Sequence, residues 1–107
     1  MQILLSSEWL PDKERAGPVS LETDQQILQA ILDEVNRAKR KHPRWPEHIV
    51  ARAGIVCEEA GELIREAVNF KYERESGEES RQQGLDAMRK EAIQTAATAI
   101  RFLQNLK

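Results

Sequence analysis

Three carboxylates stand where the packing pattern of this chain leaves little room for charge. In GIVCEEAGELIREAV, residues 54–68, the apolar run Ile55, Val56 and Cys57 leads straight into Glu58, Glu59 and Glu62, and apolar residues return at Leu63, Ile64, Ala67 and Val68. An unpaired buried carboxylate costs several kcal/mol or takes up a proton. These acids therefore line a wet face or share something positive. Glu59 and Glu62 are three apart and lie on one side of a helix, while Glu58, Glu62 and Glu66 make an overlapping row at four-residue spacing. Further along, Glu91 and Gln94 repeat the three-residue spacing. If the helices that carry these two pairs run antiparallel, four oxygen-bearing side chains surround one point. Such a set suits a hard cation, Mg²⁺ or Mn²⁺. The acids repel one another by on the order of 1 kcal/mol per contact even when partly screened, and a divalent ion removes that repulsion. Mg²⁺ that keeps several waters also bridges carboxylates to phosphate oxygens. The plainer alternative is a solvated acidic face balanced by Arg65, Arg89 and Lys90. Glu-x-x-His pairs of the di-iron kind are absent, and one cysteine with two histidines makes a poor zinc set.

The elements that must position these residues read as helices. Ala, Glu, Arg and Gln are plentiful and β-branched runs scarce. Thr23, with Gln26 three residues on, forms a capping box for a first helix over Asp24–Lys41, whose stripe is Ile27, Leu28, Ile31, Leu32, Val35 and Ala38. Arg37, Lys39, Arg40 and Lys41 suit its C-terminal dipole, and His42–Pro43 ends it. Pro46 fits the first turn of a second helix, Glu47–Glu73, loosened near Gly54 or Gly61. Its stripe is Ile49, Val50, Ala53, Val56, Cys57, Ala60, Ile64, Ala67 and Val68, with Cys57 as a small core residue. The charged, glycine-marked segment Glu73–Gly84 reads as a loop, and a third helix runs over Leu85–Leu106. Residues 1–20, with Pro11, Gly17 and Pro18, read as an extended or loosely ordered arm whose Ile3, Leu4, Leu5, Trp9 and Leu10 can dock on the body or on a neighbour. Residues 21–107 form the helical domain. The expected fold is all-α, an antiparallel bundle of three main helices completed by a homodimer or homotetramer, because three narrow stripes make an awkward monomer.

Composition narrows the functional classes. The chain has 107 residues and a formal net charge of −2, which argues against a nucleic-acid partner. Cys57 is its single cysteine, which fits a reducing compartment. The stretch MQILLSSEWLPDKER lacks a basic n-region, and no apolar run approaches the roughly 18 residues of a membrane span, so a cytoplasmic protein with no membrane partner is expected.

At the acidic pairs the sequence resembles the MazG-like, all-α nucleoside triphosphate pyrophosphohydrolases. That family carries two adjacent Glu, a third Glu three later, a variable spacer, and Glu-x-x-Asp on the following helix. Here the halves are CEEAGEL, residues 57–63, and EAIQ, residues 91–94. The resemblance spans roughly Leu28 to Leu106, and the ending EAIQTAATAIRFL is similar to short stand-alone members, phage-borne ones included. It implies Mg²⁺-dependent hydrolysis of a nucleoside triphosphate between its α- and β-phosphates, giving the monophosphate and pyrophosphate. Glu59, Glu62, Glu91 and Gln94 match the metal-binding set, and Glu58 matches the acid that orients or deprotonates the attacking water. Gln94 departs from the expected Asp. Its amide oxygen can ligate a hard ion but brings no charge, so a nucleotide-binding protein with weak or no hydrolysis, or a structural helical oligomer, stands as the alternative.

A triphosphate needs cations besides the metal. Lys39, Arg40, Lys41 and Arg44 precede the second helix, and Lys71 follows its acids by about two turns; each serves either phosphate or helix-end solvation. Relatives place an aromatic near Trp45 to stack on the base, and its other role is packing on the bundle. Asn69 sits where similar proteins place a polar group near sugar or base, or it serves as a cap. His42 and His48 read as hydrogen-bonded surface residues, and Thr95 and Thr98 as close helix contacts.

Overall fold

The computed structural model describes residues 21–74 and 76–107, so the arm expected over residues 1–20 lies outside the described residues. Three α-helices, α1 (Asp24–Lys41), α2 (Ile49–Asn69) and α3 (Glu78–Gln104), form the body, and a π-helical turn over Phe70–Arg74 extends α2. None of these helices is long and apolar enough to cross a membrane.

The start of α1 is set by the expected box. Thr23 Oγ1 accepts from the Gln26 amide at 3.1 Å, and Gln26 Oε1 accepts from the Thr23 amide at 2.8 Å. Helix α2 differs from expectation at its start. The His48 ring caps it, with Nδ1 accepting from the Val50 amide at 3.2 Å, so the helix begins at Ile49 and Pro46 stays in the connector. Arg52 fixes that connector by donating from Nε to the Pro46 carbonyl and from Nη1 to the Asn105 carbonyl, the latter at 2.6 Å. Gly54 and Gly61 do not loosen α2; both lie in continuous α-helix without positive φ.

The expected loop over Glu73–Gly84 shrinks to a short turn, and α3 begins at Glu78 instead of Leu85. Glu78 and Glu79 sit in its first turn, where negative charge suits the dipole. Gln82 Nε2 donates to Asp86 Oδ1 at 2.9 Å, one turn on. A charged segment of good helix formers looks like loop by polarity alone, and it is helix by propensity. Gly84 inside it answers a packing need. A Cβ there would lie 2.7 Å from Phe70 Cδ2, so the first residue of the π turn seats against a bare backbone.

These contacts define the topology. Phe70 meets Gly84 at one end and Arg52 meets Asn105 at the other, so α2 and α3 run antiparallel. Arg89 holds Glu22 before α1, and Arg101 Nη2 donates to the His42 carbonyl after it at 2.7 Å, so α1 and α3 run in the same sense. Helix α3 packs against both others, whereas α1 and α2 bring no pair of Cα atoms within 8 Å. Apolar burial in the single chain is sparse. Val35 and Ala97 are its fully buried hydrophobic side chains among the described residues. Helix α2 has no fully buried residue, and Val50 and Ile64 are 68% and 65% exposed. Cys57 is exposed on that same uncovered side, not in the core as its stripe position implied, because the single chain offers nothing to pack there.

Candidate functional site

The antiparallel register brings the two acidic pairs to one level. Counting from the Phe70–Gly84 and Arg52–Asn105 contacts sets Glu91 opposite the turn that carries Glu62. Glu59, Glu62 and Glu91 each place one carboxylate oxygen within 4.8 Å of the others. Glu59 Oε2 and Glu91 Oε2 are buried and have no hydrogen-bond partner. An acceptor in that condition lacks what water would give it.

The acids feel one another. Burial first, then the charges of Glu62, Glu58 and Glu34, hold the Glu59 carboxyl above its ordinary range. Burial also raises Glu91, followed by a hydrogen bond with Glu62 and the charges of Glu62 and Glu59, with Lys90 opposing. A divalent cation among these oxygens would offset their crowded charge and engage the two orphaned oxygens. An all-oxygen donor set of this kind could hold a hard divalent cation.

Beside the trio, the divergence of α1 and α2 over α3 leaves a cleft. Its cavity of about 420 Å³ has Gln94, Ala97 and Arg101 on the floor, Glu34 of α1 and Glu59 of α2 on facing walls, and Trp45 at one end. A shallower groove of about 620 Å³ between α1 and α3 shares Glu34, Arg37 and Gln94 with it, and adds Lys41, Arg89 and Lys90. Two of those cations are engaged: Arg37 Nε donates to both Glu34 oxygens at 2.7 and 2.8 Å, and Arg89 pairs with both oxygens of Glu22 at 2.6 Å.

Among the residues singled out from sequence, Glu59, Glu62 and Glu91 converge. Glu58 is exposed beside them and close enough to raise Glu59. Gln94 lies on the cleft floor, and Trp45 and Lys41 line the cleft and its neighbouring groove. Asn69, the last residue of α2, and Lys71, in the π turn, line neither cavity. Glu34, Arg37 and Arg101 were missed as site residues. A signal existed for one of them: Glu34 lies three residues after Ile31, a charge set on the apolar stripe of the first helix. Comparison of the chain with protein-family models, with curated proteins and with solved structures finds no match in any of the three.

Proposed function

We propose that this chain is a Mg²⁺-dependent nucleoside triphosphate pyrophosphohydrolase of the MazG-like kind, with a nucleoside triphosphate lying along the cleft. The observation that carries the reading is the trio of carboxylate oxygens within 4.8 Å, two of its acids each keeping a buried unpartnered oxygen, at the edge of a cavity large enough for a nucleoside. Glu59, Glu62 and Glu91 would hold the ion, with the neutral amide oxygen of Gln94 nearby. Bound there, Mg²⁺ would neutralise phosphate charge and acidify water. Glu58, exposed and adjacent, orients the attacking water or takes its proton. Water adds to the α-phosphorus and pyrophosphate leaves with the β- and γ-phosphates. Lys41 and Lys90 bring positive charge to the groove that continues from the cleft, beside Arg37 and Arg89, which are paired with Glu34 and Glu22. The test is pyrophosphate release from a panel of nucleoside and deoxynucleoside triphosphates with Mg²⁺, in the parent, Glu59→Ala and Glu91→Ala. Equal activity in all three would remove the proposal. Nucleotide-dependent thermal stabilisation without turnover, with activity restored by Gln94→Asp, would identify a binding protein instead.

We infer further that two copies pair through the outer face of α2. Val50, Ala53, Cys57, Gly61 and Ile64 are all exposed there, and their spacing of 3, 4, 4 and 3 reads the same in both directions. Two such helices crossing antiparallel at Cys57 would set Val50 against the partner's Ile64 and Ala53 against the partner's Gly61. That is the self-complementarity a two-fold contact requires, and the small central residues let the backbones approach.

A further inference from the structure

The cleft holds a cation that no carboxylate among the described residues pairs with. Arg101 is 5% exposed, and among the described residues it forms no ion pair with a carboxylate. Its Nη2 donates to the His42 carbonyl, the Trp45 ring covers the guanidinium with its centroid 4.6 Å from Cζ, and its Nε–H is buried with no acceptor. The Trp45 Nε1–H beside it is likewise buried and unpartnered. Burial pulls the Arg101 guanidinium below its usual value, although a guanidinium keeps its proton in proteins. Two lining residues in contact with each other, each with an orphaned donor, describe a ligand rich in acceptors at the Trp45 end of the 420 Å³ cavity.

Position along α3 says which end of a nucleotide that is. Arg101 lies ten residues beyond Glu91, which is about 15 Å of helix rise. Its side chain leans back toward the helix N-terminus, so the guanidinium stands roughly a nucleoside's length from the acidic trio. With the phosphates at the trio, the part of the nucleotide that reaches Arg101 is the base. The inference thus rests on the nucleotide reading given above. We propose that Arg101, held edge-on by Trp45 and the His42 carbonyl, selects bases that present a ring carbonyl oxygen, namely guanine, cytosine, uracil and thymine, over adenine, which has none. A guanidinium donates best to a strong, localised acceptor, and adenine offers it only ring nitrogens, beside an amino group, in place of a carbonyl oxygen.

The experiment measures kcat/KM for pyrophosphate release across the base series in the parent, Arg101→Lys and Arg101→Gln. The carbonyl-bearing substrates should exceed the adenine nucleotides by about tenfold or more in the parent, the weight of one charge-assisted hydrogen bond. Arg101→Gln should bring that ratio to within about twofold, and Arg101→Lys should keep part of it. A flat base series in the parent, or an unchanged ratio in Arg101→Gln, overturns the inference while the hydrolysis itself stands. No turnover of any nucleotide overturns both. A second measurement avoids substitution at Arg101. In a Trp9→Phe background, Trp45 emission is titrated with GMP, CMP, UMP and AMP. Carbonyl-bearing monophosphates should shift the emission at lower concentration than AMP; equal midpoints also overturn the inference.

Discussion

Helix α2 has two sides, and each lacks something different. Its inner side presents Glu59 and Glu62 to Glu91, with charge crowded and oxygens unpartnered. Its outer side presents Val50, Cys57 and Ile64 to solvent, with apolar surface and no charge to satisfy. The same single-chain fold thus leaves one electrostatic and one hydrophobic deficit, about half a helical turn apart. On the reading proposed above they would take different partners, a small hard cation on one side and a second copy on the other. Neither deficit can be relieved by the other side's partner, so the two can be perturbed separately.

The sharpest break on the inner side is loss of a ligand. Glu59→Ala or Glu91→Ala should lower pyrophosphate release by about a hundredfold or more and leave the oligomeric state, read by light scattering, unchanged. Next is the ion. Mg²⁺ or Mn²⁺ at a hundred times its dissociation constant should stabilise the parent by about 2.7 kcal/mol, seen as a rise in melting temperature that Glu91→Gln abolishes. On the outer side, Ile64→Asp separates two outcomes. If the face is bare, the change stays within about 0.5 kcal/mol. If it is paired, about 2 kcal/mol of dimer stability disappears and monomer shows in sedimentation. A gentler probe is the lone thiol. Mild oxidation should link two chains through Cys57, while Cys57→Ala leaves the melting temperature near the parent's. A chain that stays monomeric at every concentration would remove the contrast.

The pH response sharpens the inner side without any mutation. Glu59 and Glu91 are held above their unfolded-state values. Between the ordinary carboxylate range and those raised values the folded chain therefore binds more protons than the unfolded one. Their contribution to stability is present at low pH and is lost as pH climbs through that window. Glu22, lowered by its bond to Arg89, slopes the opposite way. In metal-free buffer Glu91→Gln should flatten the downward slope, and saturating Mg²⁺ should do the same in the parent.

Much of the inner side could be read before any coordinates. Spacing put Glu59 and Glu62 on one helix face and, on the condition of antiparallel packing, Glu91 level with them, and the Thr23–Gln26 box marked the start of α1. Where α3 begins could not be read, because Glu78–Gly84 is polar enough for a loop while its propensities favour helix, and the balance is struck by Phe70 docking on Gly84. Cys57 was misplaced for a related reason. Periodicity identifies an apolar stripe but not whether the covering surface belongs to the same chain. Arg101 escaped notice because a lone arginine near a helix end looks like dipole compensation, and its burial arises from the path of the His42–Pro46 connector, which no local pattern encodes.

Helix α1 hangs from a single seam. Its backbone comes close to α3 and not to α2, it contributes Val35 as its one fully buried residue, and it is pinned outside its ends by Glu22–Arg89 and His42–Arg101. Opening of the body should therefore be graded, with the amide protons of α1 trading with deuterium sooner than those of the α2–α3 hairpin. A molecule lodged between the walls would clasp the loose helix to the tight pair, and the slowing it produces would be greatest in α1.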